Sequence, residues 1–186
     1  RETLVVYIYF YCNKVHNYYF KNMIKQHKIL CIGLGKLGLM FSQVLAENNI
    51  PTLGYDIDQN IINHIKKNKK YIEPNLNNLI KKNKRKFELV DNLNEGIKKS
   101  TSAFLILPTP SKKNHEFDNK YIESCLDQIG SSLKNKKNYL INITSTVNPG
   151  SSENFINLLE RKFKLKHGKN FILTYNPHLI ALGSIY

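Results

Sequence analysis

Short apolar runs alternate along the chain with stretches in which apolar residues recur every three or four positions. Runs of three to five residues rich in branched and aromatic side chains are typical of buried β-strands. From Lys28 onward the pattern predicts six of them: Ile29–Ile32, Thr52–Tyr55, Phe87–Val90, Ala103–Leu107, Tyr139–Ile143 and Phe171–Thr174. Strands separated by helical stretches favour a parallel sheet joined by crossover helices.

The segments between the strands have helical periodicity. They predict six helices: Leu37–Glu47, Gln59–Lys67, Leu76–Lys82, Leu93–Lys99, Tyr121–Leu133 and Ser152–Phe163. Pro74 precedes the third helix, and Gly150 with the serines after it precedes the sixth, as is common at helix starts. The predicted fold class is therefore α/β, a Rossmann-like, doubly wound parallel sheet of about six strands with helices on both faces. Such folds bind ligands at the carboxyl ends of their strands.

A glycine-rich segment, G-x-G-x-x-G, follows the first predicted strand and opens the first predicted helix. Gly33 permits a tight turn, Gly35 lets a pyrophosphate approach the backbone, and Gly38 lets the helix pack against the strand. Lys36 and Leu37 complete the segment, and the N–H groups at the helix start would hold the phosphates. The alternative is a tight turn with no ligand, and the hexapeptide alone does not decide between them.

A carboxylate at the end of the second strand strengthens the ligand interpretation. Asp56 follows Gly38 by 18 residues, where a residue that hydrogen-bonds a ribose is expected. A carboxylate there also repels a 2′-phosphate, so we predict that the cofactor is NAD rather than NADP. The competing role for Asp56 is a helix cap, but Asp58 is better placed for it.

The formal net charge of +14 raises the possibility of an anionic partner. The charge lies in Lys/Asn tracts such as Lys66–Lys70, Lys81–Lys86 and Arg161–Lys169, which fall at predicted helix ends and loops without interleaved aromatic residues. We interpret these tracts as solvated helix ends and predict no nucleic-acid partner. The alternative, a nucleic-acid surface, would give a steep loss of affinity with salt.

The three cysteines are Cys12, Cys31 and Cys125, which are far apart and lack metal-ligand spacing. We therefore predict no disulfide framework and no metal site, and a reducing, cytoplasmic location. Cys31 falls in a predicted strand and Cys125 on a helix with core periodicity. We expect these two and Cys12 to be inert apolar side chains.

The first 22 residues do not fit the alternating pattern. Leu4–Cys12 is apolar, but its nine residues are fewer than the roughly 20 needed to span a bilayer. We expect residues 1–22 to be a leader foreign to the domain, with an extra edge strand as the alternative. The predicted domain then covers residues 23–186, with no membrane contact.

Four further segments, in order after the glycine segment and Asp56, resemble the N-terminal domain of the UDP-glucose/GDP-mannose dehydrogenase family. The resemblance covers roughly Lys28–Ser184. The four segments are YIEPNLNNLI (Tyr71–Ile80), LILPTP (Leu105–Pro110), STVNPGSS (Ser145–Ser152) and YNPHLIALGS (Tyr175–Ser184). These enzymes are NAD-dependent sugar-nucleotide 6-dehydrogenases, and each matching segment is short but lies at a strand end or helix start.

The resemblance assigns roles to individual residues. Gly33, Gly35, Lys36, Leu37, Gly38 and Asp56 match the part that binds NAD. Thr109 matches a threonine that lines the cofactor, and Thr146 one that helps to position a catalytic water. His178 stands where the family has a catalytic glutamate, and an imidazole can act as a general base near neutral pH. Equally, His178 marks a relative with altered chemistry or none, as does Leu182 in place of a second acid.

The chain is shorter than the family's enzymes. Their cysteine nucleophile comes from later domains, so the resemblance implies a fragment that lacks the central helix and the C-terminal UDP-binding domain. It would bind NAD without completing turnover, and the full-length protein would be a homodimer. The function expected is oxidation of the C6 hydroxymethyl of a UDP-sugar, of the UDP-glucose or UDP-N-acetylhexosamine type, to a carboxylate in polysaccharide biosynthesis. The alternatives are a β-hydroxyacid-dehydrogenase-like enzyme and a non-catalytic dinucleotide-binding relative.

Overall fold

The computed structural model describes residues 27–73 and 75–177. Within them, six parallel strands form one sheet in the order β3-β2-β1-β4-β5-β6. The strands are β1 Ile29–Ile32, β2 Thr52–Tyr55, β3 Phe87–Leu89, β4 Ser102–Leu105, β5 Tyr139–Ile143 and β6 Phe171–Tyr175. The predicted α/β class and the six strands are confirmed. The predicted leader, residues 1–22, lies outside the described residues.

Helices cover both faces of this sheet. They are α1 Lys36–Glu47, α2 Gln59–Lys66, α3 Leu76–Lys82, α4 Leu93–Lys99, α5 Lys120–Gly130 and α6 Ser151–Phe163. Side chains of β1 alternate between the two faces, Leu30 and Ile32 packing on one side and Ile29 and Cys31 on the other. All four are at most 3% exposed, so the central strand is buried on both sides, as a doubly wound sheet requires.

Two cores result from this arrangement. The larger one lies between the sheet and α4, α5 and α6, and includes Ile97, Leu126 and Phe155. The other lies between the sheet and α1, α2 and α3, and includes Leu45 and Leu79. Among the described residues, no helix is both long enough and apolar enough to cross a bilayer.

Strand β4 ends two residues earlier than the apolar pattern predicts. Ile106 still donates its N–H to the carbonyl of Ile32, at 2.8 Å. The N–H of Leu107 instead donates to the hydroxyl of Ser145, also at 2.8 Å, so a side chain replaces the ladder there. An apolar run predicts burial, and Ile106 and Leu107 are still partly buried past the point where strand pairing stops.

The helix ends agree with the sequence in part. Asp58 caps α2 through the N–H of Asn60, at 2.8 Å, as its position predicts. The serines expected to cap α6 do not: the cap residue is Gly150, with φ of +80°, and Ser151 is already helical. The predicted helix Tyr121–Leu133 is α-helical only to Gly130 and continues as a short 3-10 turn.

A hydrogen bond buried in the larger core gives a stability prediction. The hydroxyls of Ser100 and Tyr139 lie 2.6 Å apart, and both residues are 2% exposed. Burial raises the pKa of Tyr139, and the Ser100 hydroxyl also reaches the carbonyl of Gly96, at 2.6 Å. Ser100→Ala leaves the tyrosine hydroxyl buried without this partner, so we expect a loss of about 1–3 kcal/mol in unfolding free energy.

Urea denaturation of Ser100→Ala, Tyr139→Phe and the double variant measures this directly. Because the Tyr139→Phe chain has no hydroxyl to satisfy at that position, Ser100→Ala should cost less in that background. Strictly additive losses would contradict the coupling of the two hydroxyls.

Candidate functional site

A cleft of about 830 Å³ opens at the carboxyl edge of the sheet. The strand register explains its position, because Ile32 pairs with Tyr55 on one side and with Leu105 on the other, and Leu105 pairs with Ile143. The segments that follow these strand ends therefore meet at one edge. Eight residues predicted from the sequence line the cleft: Gly33, Gly35, Lys36, Leu37, Gly38, Asp56, Thr109 and Thr146.

Two of the three glycines allow backbone segments to touch. Gly33 has φ of +92°, and a Cβ built on it would lie 2.3 Å from the carbonyl oxygen of Ile106. A Cβ on Gly38 would lie 1.9 Å from the carbonyl oxygen of Gly33. Any side chain at either position would collide with backbone. Because Gly38 has none, the start of α1 can lie against the turn that follows β1.

Gly35 differs, since apart from its own chain neighbours no described residue has an atom within 4 Å of a Cβ built on it. It is the cap residue of α1, with an ordinary φ of −62°, and it has no side chain to cover the first turn. The N–H groups of a helix's first turn lack intrahelical partners and carry the positive end of the helix dipole. The open space at Gly35 therefore gives an anionic group direct access to these donors.

Asp56 lies beside this helix start and is 9% exposed. One carboxylate oxygen accepts the N–H of Leu34, at 2.6 Å, and the other accepts the N–H of Asp58, at 2.9 Å. Each oxygen of an ionised carboxylate accepts more than one hydrogen bond, so both can still bind a hydroxyl. The contact with Leu34 also ties β2 to the glycine segment, a structural role that the sequence did not predict.

Thr109 and Thr146 lie on two segments that meet at the ends of β4 and β5. Thr109 is partly buried and Thr146 is exposed at the cleft. Between them, the buried hydroxyl of Ser145 accepts the N–H of Leu107 and donates to its carbonyl, at 2.8 and 2.6 Å. Sequence reasoning missed Ser145, since its partner is 38 residues away and nothing local indicates the contact.

The wall of the cleft formed by α5 was also missed. Tyr121 and Cys125 of α5 line it, as does Ile57 after β2. Ile57 is 76% exposed and Tyr121 45% exposed, so both leave apolar surface at the cleft mouth. Burial raises the pKa of the Cys125 thiol to about 12 and raises that of Cys31 as well, which keeps both as unreactive thiols.

Lys36 lies at the start of α1 and forms an ion pair with Glu73 at 3.8 Å. Its side chain is 72% exposed, so solvent screens the pair and it adds little to stability. The carbonyl of Glu73 accepts the N–H of Leu76 at the start of α3, at 3.4 Å. The backbone of Glu73 thus contacts the start of α3, while its carboxylate faces Lys36.

His178, Leu182, Cys12 and Pro74 lie outside the described residues. Strand β6 ends at Tyr175, which pairs with Ile143, and Asn176 donates to the carbonyl of Ile143 at 2.9 Å. Among the described residues, no three histidine, cysteine, aspartate or glutamate side chains gather as a metal-ligand set.

In this chain, strand β1 turns through glycines into the start of α1, and a carboxylate, Asp56, lies at the end of the neighbouring strand. These features define a dinucleotide-binding domain of the Rossmann class. The site lies where the strand order reverses, between β1 and β4. Residues 27–186 match the model of the UDP-glucose/GDP-mannose dehydrogenase family, NAD binding domain, and the chain belongs to that family. NAD is the cofactor of this domain, and the open backbone at Gly35 with the carboxylate of Asp56 fits it.

Curated relatives and solved structures agree with this family assignment. The chain is 30% identical over 158 residues to GDP-mannose 6-dehydrogenase of Azotobacter vinelandii, covering 82% of this chain and 36% of that protein. It is 36% identical over 136 residues to UDP-N-acetyl-D-mannosamine dehydrogenase of Campylobacter jejuni, covering 68% and 31%. A ternary complex of GDP-mannose dehydrogenase from Pseudomonas aeruginosa superimposes with a TM-score of 0.76 at 27% identity, covering 82% and 36%. The chain thus spans about a third of the length of these relatives.

The contrast between two glycines gives a prediction about the site. We expect Gly35→Ala to leave the melting temperature unchanged, because its methyl meets open space, yet to weaken NAD binding about tenfold or more by crowding the diphosphate. Gly38→Ala should instead destabilise the fold by more than about 2 kcal/mol, since its methyl meets a backbone carbonyl. Thermal unfolding and calorimetric titration with NAD measure both, and an unchanged NAD affinity in Gly35→Ala would contradict the assignment.

Asp56→Asn tests the ribose interaction, with Asp58→Asn as its matched control. Both remove one negative charge near the cleft, but only Asp56 is buried at the end of β2 and predicted to hold the ribose. We expect Asp56→Asn to weaken NAD binding and to narrow the preference for NAD over NADP, with Asp58→Asn close to the unmodified chain. The measurement is the ratio of the dissociation constants for NAD and NADP. An equal change of this ratio in both variants would exclude a specific role of Asp56 in binding the ribose.

Proposed function

We propose that this chain is the NAD-binding part of a sugar-nucleotide 6-dehydrogenase, which oxidises the C6 hydroxymethyl group of a UDP-sugar to a carboxylate. We propose residues 23–186 as the domain that performs this part of the reaction. The sugar is of the UDP-glucose or UDP-N-acetylhexosamine type.

The family match over residues 27–186 carries this proposal. The curated relatives named above are dehydrogenases of GDP-mannose and of UDP-N-acetyl-D-mannosamine, which share a sugar linked to a nucleoside diphosphate. The cleft supports it too, because its glycine segment and Asp56 lie at one end, and Thr109 and Thr146 at the strand ends beyond β4. A dinucleotide extended along this edge would have its two halves on opposite sides of β1.

Each site residue has a role in this proposal. The amides that begin α1, with Lys36 and Leu37, hold the diphosphate, and Asp56 holds the adenosine ribose. Thr109 lines the far half of the cofactor, Thr146 positions a water, and His178 acts as general base in place of the family's glutamate. When bound, NAD supplies the hydride acceptor for the oxidation.

The remaining parts of the proposal concern the whole protein. In this proposal, the residues that bind the nucleotide of the substrate and the cysteine nucleophile belong to domains other than the NAD-binding domain. We propose that the full-length protein is a homodimer in the cytoplasm, whose product is used in polysaccharide biosynthesis. These proposals rest on the family resemblance rather than on the geometry of the cleft.

Turnover is tested with the full-length protein in which this sequence occurs. We expect NADH to form only with a sugar nucleotide that has a free C6 hydroxymethyl, and two NADH to form for each carboxylate, because an alcohol is oxidised twice. UDP-glucose, UDP-N-acetylhexosamines and GDP-mannose are compared at equal concentration, with the UDP-sugars expected to react. The 186-residue chain alone should bind NAD and release no NADH.

His178→Glu separates a live enzyme from a non-catalytic relative. If His178 is the general base, restoring the family's glutamate should leave turnover unchanged or lower it. A large gain would mean that the histidine marks a decayed site. Absence of NADH with every sugar nucleotide, from a protein that still binds NAD, would reject the proposed reaction while leaving the cofactor site intact.

A further inference from the structure

Two connecting segments face each other at the ends of β4 and β5. Residues 106–119 connect β4 to α5 and contain Thr109, while residues 144–150 connect β5 to α6 and contain Thr146. Both threonines line the cleft. Neither segment has the backbone ladder of a strand where its threonine lies, so other contacts must fix the two relative to each other.

Ser145 makes the first of these contacts. Its hydroxyl accepts the N–H of Leu107 at 2.8 Å and donates to the carbonyl of the same residue at 2.6 Å. Ser145 is 8% exposed, so water competes little for these bonds. One small side chain thus satisfies both backbone groups of a residue in the opposite segment.

Asn148 makes a second contact of the same kind. Its amide oxygen accepts the N–H of Phe117 at 3.0 Å, and its amide nitrogen donates to the carbonyl of Phe117 at 2.9 Å. A third link joins the same two regions, because the amide of Asn119 donates to the hydroxyl of Ser151 at 2.8 Å. The segment before α5 is therefore held at several points by the residues around the start of α6.

The order of these contacts along the chain is what matters. Thr146 lies between Ser145 and Asn148 in one segment, and Thr109 lies between their partners, Leu107 and Phe117, in the other. Each threonine is therefore bracketed by two points of attachment. A segment fixed on both sides of a residue restricts the backbone that carries that residue before a ligand arrives, which lowers the entropy lost on binding.

We propose that Ser145 and Asn148 are positioning residues, which hold Thr109 and Thr146 ready for the nicotinamide half of NAD. The inference rests on the proposed function, which places that half beyond β4. The adenosine diphosphate half is held by different means, the glycine segment and Asp56. Loss of the contacts of either residue should therefore weaken the binding of a ligand that occupies both halves of the cleft. The binding of a ligand that occupies only the adenosine diphosphate half should not change.

NAD and ADP provide that comparison with the 186-residue chain. We expect Ser145→Ala and Asn148→Ala each to weaken NAD binding about three- to tenfold, because the loosened segment must then be ordered when the ligand binds. The affinity for ADP should stay within about twofold of its original value, because the backbone donors it uses are untouched. Calorimetric titration measures both dissociation constants for each variant.

Asn77→Ala is the matched control. Asn77 bonds the N–H and carbonyl of Tyr71 at 2.8 and 2.7 Å, the same arrangement as Asn148 with Phe117, but both residues lie outside the two segments that contain Thr109 and Thr146. It should lower stability without changing the ratio of the NAD and ADP constants. If Ser145→Ala fails to fold, Asn148→Ala carries the test, since its side chain is only partly buried.

Two results would overturn the inference: an unchanged affinity for NAD in a folded Asn148→Ala chain, or an equal loss of NAD and ADP. Failure of the proposed reaction is a separate result, because it would appear as absence of NADH from the full-length protein. The ratio of constants in the 186-residue chain does not depend on turnover.

Discussion

The backbone at the start of α1 lies directly against the turn that leaves β1. Gly38 makes this possible, because a Cβ there would be 1.9 Å from the carbonyl oxygen of Gly33. The contact directs the first turn of the helix, with its N–H donors and dipole, to the edge where β2 also ends. Asp56 then bonds the N–H of Leu34 across that edge. Without this close approach there would be neither a phosphate site nor a fixed distance between it and the carboxylate.

The two halves of the cleft are built by different physical means. On the side of β1 and β2 the shape comes from backbone contact, permitted by glycines and held by one buried carboxylate. On the side of β4 and β5 it comes from side chains that bond backbone groups, Ser145 with Leu107 and Asn148 with Phe117. Close backbone contact admits only glycine at the positions concerned. A side chain that bonds backbone groups need only be short, polar and within hydrogen-bond distance of its partner.

This difference explains how much could be predicted from the sequence. The glycine segment, Asp56 and the six strands were predictable because each depends on residues close together or on a regular pattern. Ser145 and Asn148 were not, since their partners lie 38 and 31 residues away and serine and asparagine are common in loops. Strand β4 was predicted too long for the same reason: a side chain from another segment takes the ladder's place.

Part of the positive charge of the chain can be understood from the same geometry. In a parallel sheet with crossover helices, the helices end at the edge opposite the cleft, where their carbonyl groups present negative charge. Basic residues occupy the last turn of four of the described helices: His64 and Lys66, Lys81 and Lys82, Lys98 and Lys99, and Arg161 and Lys162. Helix dipoles favour basic residues at that edge and an anion at the other, so these basic helix ends lie away from the edge that binds the anionic cofactor.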